Sequence, residues 1–159
     1  MRILIASDAW FPQVNGVVRT LSTVCQELER LGHEVLMFTR ENFRTFPLPS
    51  YPEIKLAFPG KRVVSNSIQS FGPEAIHIAT EGPIGWAVRK FCMQNHLPFT
   101  TGFHTKFADY SAKRIPLPGI KALSYKVLKL FHRDSSAVMA ASPSMARELR
   151  AEGFQNVVA

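Results

Sequence analysis

The apolar period of this chain changes once within its first 31 residues, and that change constrains the fold more than any other feature. Arg2 to Ala6 is a short apolar run with isoleucine at positions 3 and 5. It is too brief for a helix and typical of a strand covered on both faces. From Val17 onward, Val17, Leu21, Val24, Leu28 and Leu31 recur at helical spacing, while Arg19, Gln26, Glu29 and Arg30 fall elsewhere. The chain therefore passes from buried strand to helix through a loop, Asp8 to Gly16. In a doubly wound sheet such a loop lies beyond the carboxyl end of its strand, where the helix offers unpaired amides and its positive dipole end to an anion. Gly16, with no Cβ, lets a phosphate approach the backbone closely.

The same alternation continues. Leu31-Gly32-His33-Glu34 reads as a helix stop with Gly32 as the left-handed cap, and Val35 to Thr39 as a second strand. Residues 41–60 carry Pro47, Pro49, Pro52 and Pro59, which exclude a continuous helix and predict an exposed, loop-rich segment with room for a short edge strand around Ile54 to Phe58. Lys61 to Phe71 reads as a helix ended by Gly72-Pro73, and Ala75 to Ala79 as the next buried strand. Thr80-Glu81-Gly82-Pro83 then forms a second strand-to-helix loop, with Ile84, Ala87, Val88 and Phe91 on one helical face. Pro98 to Phe103 is a further strand, leading into His104. Ile120, Leu123, Val127 and Leu130 form an apolar stripe on a helix whose other face carries Lys121, Lys126, Lys129 and Arg133. A strand at Ala137 to Ala141 and a helix from Ser142-Pro143 to Gly153 follow, with Met145, Ala146 and Leu149 inward. Strands alternating with helices through short connections predict an α/β domain with a mostly parallel sheet. The last segment, Phe154 to Ala159, begins one more strand with no polar tail, which reads as a truncation at a domain boundary.

Length and charge narrow the function classes. At 159 residues and 46% hydrophobic content, one domain with a sizeable core is expected. Only five uncharged residues separate Arg2 from Asp8, too few for a signal peptide or a membrane span, so a cytoplasmic location is expected. Cys25 and Cys92 sit among apolar neighbours without C-x-x-C spacing and read as reduced core residues. A net charge of +7 calls for an anionic partner. No aromatic RNA-binding pattern, paired Cys/His finger or extended basic run accompanies it, which disfavours nucleic acid.

Each candidate group has a plain alternative. Asn15-Gly16 cradles a phosphate or is an ordinary turn and N-cap. The single glycine lacks the G-x-G-x-x-G spacing of dinucleotide folds, so NAD is disfavoured. Glu81-Gly82 binds a polar ligand or places an acidic residue near a helix amino end. His104, between Phe103 and Thr105, stands where ligands bind and can both donate and accept a hydrogen bond; its alternative is a satisfied boundary histidine. His33, His77, His96 and His132 show no metal-ligand spacing and are given structural roles. Trp10 and Phe11 meet an acceptor or are buried. The basic helix lies against anionic lipid or packs on its own sheet.

The blocks DAWFPQVNGVVRTL, LGHEVLMFTR, YPEIKLAFPG, HIATEGPIGWAVRKFC, TGFHTKFADY and ASPSMARELRAEGF, in this order, resemble the amino-terminal domain of glycosyltransferase family 4 enzymes. The branch they look most like includes GDP-mannose-dependent α-mannosyltransferases and sulfoquinovosyltransferases. The resemblance implies a Rossmann-like, mostly parallel sheet with helices on both faces, one half of the two-domain GT-B architecture. Residues 1–159 would be its acceptor-side domain, without the carboxy-terminal domain that binds the nucleotide sugar. It implies transfer of a hexose from a nucleotide diphosphate sugar, such as GDP-mannose or a UDP-sugar, to a lipid or glycan hydroxyl with retained configuration. Neither metal nor cofactor is implied, since amides and cations can stabilise the departing diphosphate. Asn15, Gly16 and Val17 match the donor-phosphate loop, with Asn15 where many relatives carry a first glycine. His104 matches a catalytic histidine that contacts the transferred sugar. Asp8, Trp10, Arg19, Glu81, Gly82 and Tyr110 fall in blocks implied to touch acceptor or sugar. The resemblance further implies a half-enzyme inactive alone, with peripheral contact to anionic membrane through Lys61-Arg62 and the basic helix. The competing class is a non-catalytic Rossmann-like binding module or a subunit of a split transferase.

Overall fold

The computed structural model describes residues 1–43, 45–48, 51–57, 59–104 and 119–159. They form two compact units, Met1–Phe99 and Thr100–Ala159.

In the first unit the apolar run at the amino end becomes β1 (Arg2–Ala6), flanked on its two sides by β2 (Glu34–Phe38) and, later in the chain, β5 (Ala75–Ile78). Both pairs are parallel, with Ile5 opposite Met37 on one side and His77 on the other. Helix α1 (Gly16–Arg30) crosses from β1 to β2. It ends in a full Schellman motif: Gly32 at φ +82° donates to the Glu29 carbonyl and His33 to the Leu28 carbonyl. Helix α2 (Lys61–Phe71) spans the expected residues and stops at Gly72 in the left-handed conformation. Helix α3 (Pro83–Gln94) opens on Pro83 and buries Ile84, Val88 and Phe91. The connections β1 to β2 through α1 and β2 to β5 through α2 run in opposite directions across the sheet, and the right-handed rule for such crossovers assigns the two helices to opposite faces.

Two expectations are corrected here. The fully buried face of α1 is Val18, Leu21 and Cys25, with Val17 and Leu28 packed against the core as expected, while Val24 and Leu31 are exposed. Val17-Val18 and Val24-Cys25 are adjacent apolar pairs, so either member fits a helical period and packing decides which lies deeper. Residues 45–48 and 51–57 are more regular than the prolines of this stretch suggested. They hold an antiparallel hairpin of β3 (Thr45–Leu48) and β4 (Tyr51–Ala57), with Pro47 opposite Lys55. A two-stranded ribbon gives each strand an outer side, where a missing N–H removes no ladder bond.

The second unit repeats the strand and helix alternation with β6 (Thr100–Phe103), α4 (Ile120–His132), β7 (Ala137–Ala140), α5 (Pro143–Ala151) and β8 (Val157–Val158). The three strands pair in parallel, Thr101 opposite Val138 and Val138 opposite Val157. Their core holds Phe103, Leu128, Val138, Ala146, Leu149, Phe154 and Val157. His132 lies within it as a structural residue, its Nδ1 2.8 Å from Thr101 Oγ1 and its ring against Phe131 and Phe154. Thr101 donates in turn to Ser135 Oγ, and Ser135 to the His132 carbonyl. The expected stripe on α4 is corrected: Leu128, Phe131 and His132 face inward, while Leu123, Val127 and Leu130 are 56%, 46% and 47% exposed. The helix carries two apolar stripes, and the one with the larger aromatic side chain fills the core.

Apart from the hairpin, the described strands run parallel to their neighbours, as expected of a Rossmann-like α/β fold. Cys25 and Cys92 are buried free thiols.

Candidate functional site

Parallel neighbours β1 and β5 end side by side, Ala6 opposite Ile78, so the loops that follow them meet at one edge. Asp8 joins them. Its amide donates to Thr80 Oγ1 at 2.8 Å, and the Thr80 hydroxyl donates back to Asp8 Oδ2 at 3.0 Å. The same carboxylate accepts the Ile84 amide at 2.9 Å and the Gly85 amide at 3.3 Å. Gly82, the formal N-cap of α3, has no side chain to cap it, and Asp8 performs that office from another loop. A side chain at Gly82 would collide with the Asp8 carboxyl group, and one at Gly85 with the Thr80 carbonyl. The two glycines are where the loops close upon each other.

Burial pushes the Asp8 carboxyl above its ordinary range, against the Ile84 and Gly85 amides and the Thr80 hydroxyl, which pull it down; the nearby charge of Glu81 adds to the rise. Asp8, expected at a sugar or acceptor, thus has its oxygens engaged in holding the two loops together.

The rest of the β1–α1 loop is built in layers. The Ser7 hydroxyl exchanges hydrogen bonds with Ala9, donating to its carbonyl and accepting its amide. Trp10 packs against the cluster of Ile5, Leu21, Cys25 and Ala79, with Phe11 edge-on at 5.2 Å and turned outward. Asn15 caps α1, its Oδ1 accepting the Val18 amide at 3.0 Å. The ordinary cap and the phosphate reading coexist, because helix geometry leaves the Gly16 and Val17 amides without intrahelical acceptors. No acidic residue lies in that first turn, Arg19 is exposed one turn on, and the space beside Gly16 is open.

Arg40 is the residue the sequence reading missed. It follows β2 on the same edge, only 8% exposed, and donates from one guanidinium nitrogen to the Phe11 carbonyl at 3.2 Å. The only signal was an arginine at the carboxyl end of a predicted strand, which no motif marks.

Glu81 is half-buried in the β5–α3 loop. In the second unit His104 directly follows β6 at the carboxyl end of that strand, half-buried with its Nε2 shielded from solvent. Tyr110 lies outside the described residues. Among the described residues no cluster of three or more His, Cys, Asp or Glu side chains is placed to hold a metal, and no helix is long and apolar enough to cross a membrane.

This arrangement, parallel strands with ligand-capable loops at their carboxyl ends, is that of a Rossmann-like α/β fold. Residues 14–158 match the model of Glycosyltransferase Family 4, and the chain belongs to that family. Among curated relatives it is 29% identical over 127 residues to an alpha-monoglucosyldiacylglycerol synthase of Streptococcus pneumoniae, covering 69% of this chain and 28% of that protein. It is 24% identical over 174 residues to a GDP-mannose-dependent alpha-mannosyltransferase of Corynebacterium glutamicum, covering 99% of this chain and 42% of that one. The chain spans less than half the length of either relative. The solved S. aureus MnaA–UDP co-structure shares the fold with a TM-score of 0.54 at 16% identity, over 99% of this chain and 43% of its own.

Proposed function

We propose that the chain is the acceptor-side half of a retaining glycosyltransferase that moves a hexose from a nucleotide diphosphate sugar to a lipid or glycan hydroxyl. The observation that carries this reading is the Asp8 tie, which sets the β1–α1 and β5–α3 loops rigidly beside each other at the carboxyl edge of a family 4 domain. In this reading the Gly16 and Val17 amides, left without intrahelical acceptors, and the exposed Arg19 receive the donor diphosphate, and Glu81 and Gly82 contact the sugar or acceptor. His104, matched to the family's histidine, contacts the transferred sugar. Charge on the leaving diphosphate is met by amides and cations, without a metal. The nucleotide base and ribose are read by a carboxy-terminal domain, so these 159 residues alone carry out no transfer. A GDP-mannose donor fits the name of the mannosyltransferase relative, and a UDP-hexose is the other donor in this reading. The protein works on the cytoplasmic face of a membrane.

The test uses the complete reading frame with GDP-mannose and UDP-hexose donors and diacylglycerol-type or glycan acceptors, the anomeric configuration of the product being read by NMR. One donor should give a product of retained configuration, and His104→Ala should lower turnover by roughly 100-fold or more. No product with any donor, or undiminished transfer by His104→Ala, would sink the assignment.

A further inference from the structure

Arg40 brings a buried charge to the β1–α1 loop from outside it. Its backbone sits in a fixed turn after β2. There the Asn42 and Phe43 amides donate to the Thr39 and Arg40 carbonyls, the Thr39 amide donates to Asn42 Oδ1 at 3.0 Å, and the Phe43 ring stands edge-on to Phe38 at 5.1 Å. From this turn the guanidinium makes its bond to the Phe11 carbonyl. The ends of the loop have ties of their own, Asp8 with Thr80 and Asn15 with the Val18 amide. Over residues 10–14, among the described residues, Arg40 is the one side chain from outside the loop that hydrogen-bonds to it.

Holding a carbonyl does not by itself call for a charge. A neutral donor would do so without the cost of taking a cation out of water, and a guanidinium carries five N–H donors where this bond uses one. Among the described residues no carboxylate lies within ion-pair distance of Arg40. The loop's one carboxylate, Asp8, is committed to the Thr80 hydroxyl and the Ile84 and Gly85 amides. Beyond Phe11 the same loop leads to the Gly16 and Val17 amides, with no acidic residue in the first turn of α1 and open space beside Gly16. The negative charge that would complete this loop is a ligand's.

We infer that Arg40 is a positioning residue for the donor diphosphate: through Phe11 it fixes the loop that presents Gly16 and Val17, and its charge favours that loop with the anion bound. The inference rests on the transferase reading for the identity of the ligand, and on the contact between Arg40 and Phe11 for its geometry.

The experiment titrates GDP and UDP into the protein of the complete reading frame by calorimetry, at low and high salt, with donor kinetics for GDP-mannose and UDP-glucose alongside. Arg40→Met keeps an unbranched stem and removes the donors and the charge; Arg40→Lys keeps the charge. At low salt Arg40→Met should bind the accepted nucleotide roughly 10-fold more weakly, the loss of one charged hydrogen bond. The donor KM should rise by a similar factor with kcat within about 3-fold, because the contact is made in ground state and transition state alike. Arg40→Lys should recover most of the loss, and the deficit of Arg40→Met should shrink as salt rises. Its urea midpoint should not fall, since removing a buried unpaired charge offsets the lost bond; Arg40→Gln, neutral and polar, gives the same comparison should methionine disturb the fold. Wild-type affinity in both neutral variants overturns the proposal. So does a deficit that ignores salt and is as large in Arg40→Lys, which marks a structural tie alone. A wild-type protein that binds neither nucleotide and transfers no sugar overturns the transferase reading and this inference with it, whereas one that transfers sugar undiminished by the neutral variants overturns the role of Arg40 alone.

Discussion

Substituting Gly82 by Ala should reveal the Asp8 tie in a single measurement of stability. Gly82 has φ −79° and ψ −174°, an extended conformation open to any residue, so alanine brings no backbone strain. The new methyl would instead stand 2.7 Å from Asp8 Oδ1 and closer still to the rest of the carboxyl group. The carboxylate must then leave the Ile84 and Gly85 amides and the Thr80 hydroxyl, bonded at 2.9, 3.3 and 3.0 Å. Loss of a helix cap costs about 0.5–2 kcal/mol. Each donor left unsatisfied where water enters poorly adds about 1–3 kcal/mol. With partial rehydration, Gly82→Ala should cost about 2 kcal/mol. In an Asp8→Ala background the methyl meets no carboxylate, and the smaller entropy of the unfolded chain makes the same substitution neutral or stabilising by about 0.5 kcal/mol. The double-mutant cycle should therefore show a coupling of about 2 kcal/mol. Urea unfolding followed by tryptophan fluorescence is the assay, since Trp10 and Trp86 both lie in the Met1–Phe99 unit. Substitutions that add to within about 0.5 kcal/mol, as independent sites do, would refute the reasoning.

Asp8 also sets a pH dependence. Its folded carboxyl is raised by burial above the ordinary 3.8, so its stabilising contribution is complete below that value and is lost as pH rises through the raised one. The urea midpoint of Asp8→Asn relative to wild type should thus climb from below about pH 4 toward neutrality; a falling trend would mean that the amides outweigh burial. The thiols offer a second check, because burial pushes Cys25 from 9.0 to about 11, helped by the Glu29 charge, and Cys92 from 9.0 to about 12. At about pH 8 the native chain should react with a thiol reagent on the order of 100-fold more slowly than a free cysteine at Cys25, and slower again at Cys92, with both titrating at once in denaturant. Prompt native labelling of Cys92 would contradict its burial.

Which parts of this molecule were legible in its sequence follows from how far apart the deciding groups lie. The Arg2–Ala6 strand, the α2 span of Lys61–Phe71 and the stops at Gly32 and Gly72 are set by neighbours within one or two turns, and periodicity found them. The inward faces of α1 and α4 depend on what packs against them. Where valines sit side by side, or a helix carries two apolar stripes, period alone leaves the choice open. The hairpin at Thr45–Ala57 was obscured because prolines forbid only the ladder positions, and sequence does not say which side of a strand is the ladder.

The site follows the same logic one level up. Sequence located both loops at strand ends, but the hydrogen-bond partners of Asp8 lie 72 to 77 residues away, beyond the reach of any local pattern. Once β1 and β5 are known to be parallel neighbours in register at Ala6 and Ile78, the residues just beyond them must meet. A carboxylate there, opposite a helix start whose own cap position is glycine, can then be read as the missing cap. Arg40 becomes visible by the same step, since β2 is the other neighbour of β1 and its first residues beyond the strand reach the same loop at Phe11. In a parallel sheet, therefore, strand order rather than loop composition decides which loop residues face a ligand and which hold the loops in place.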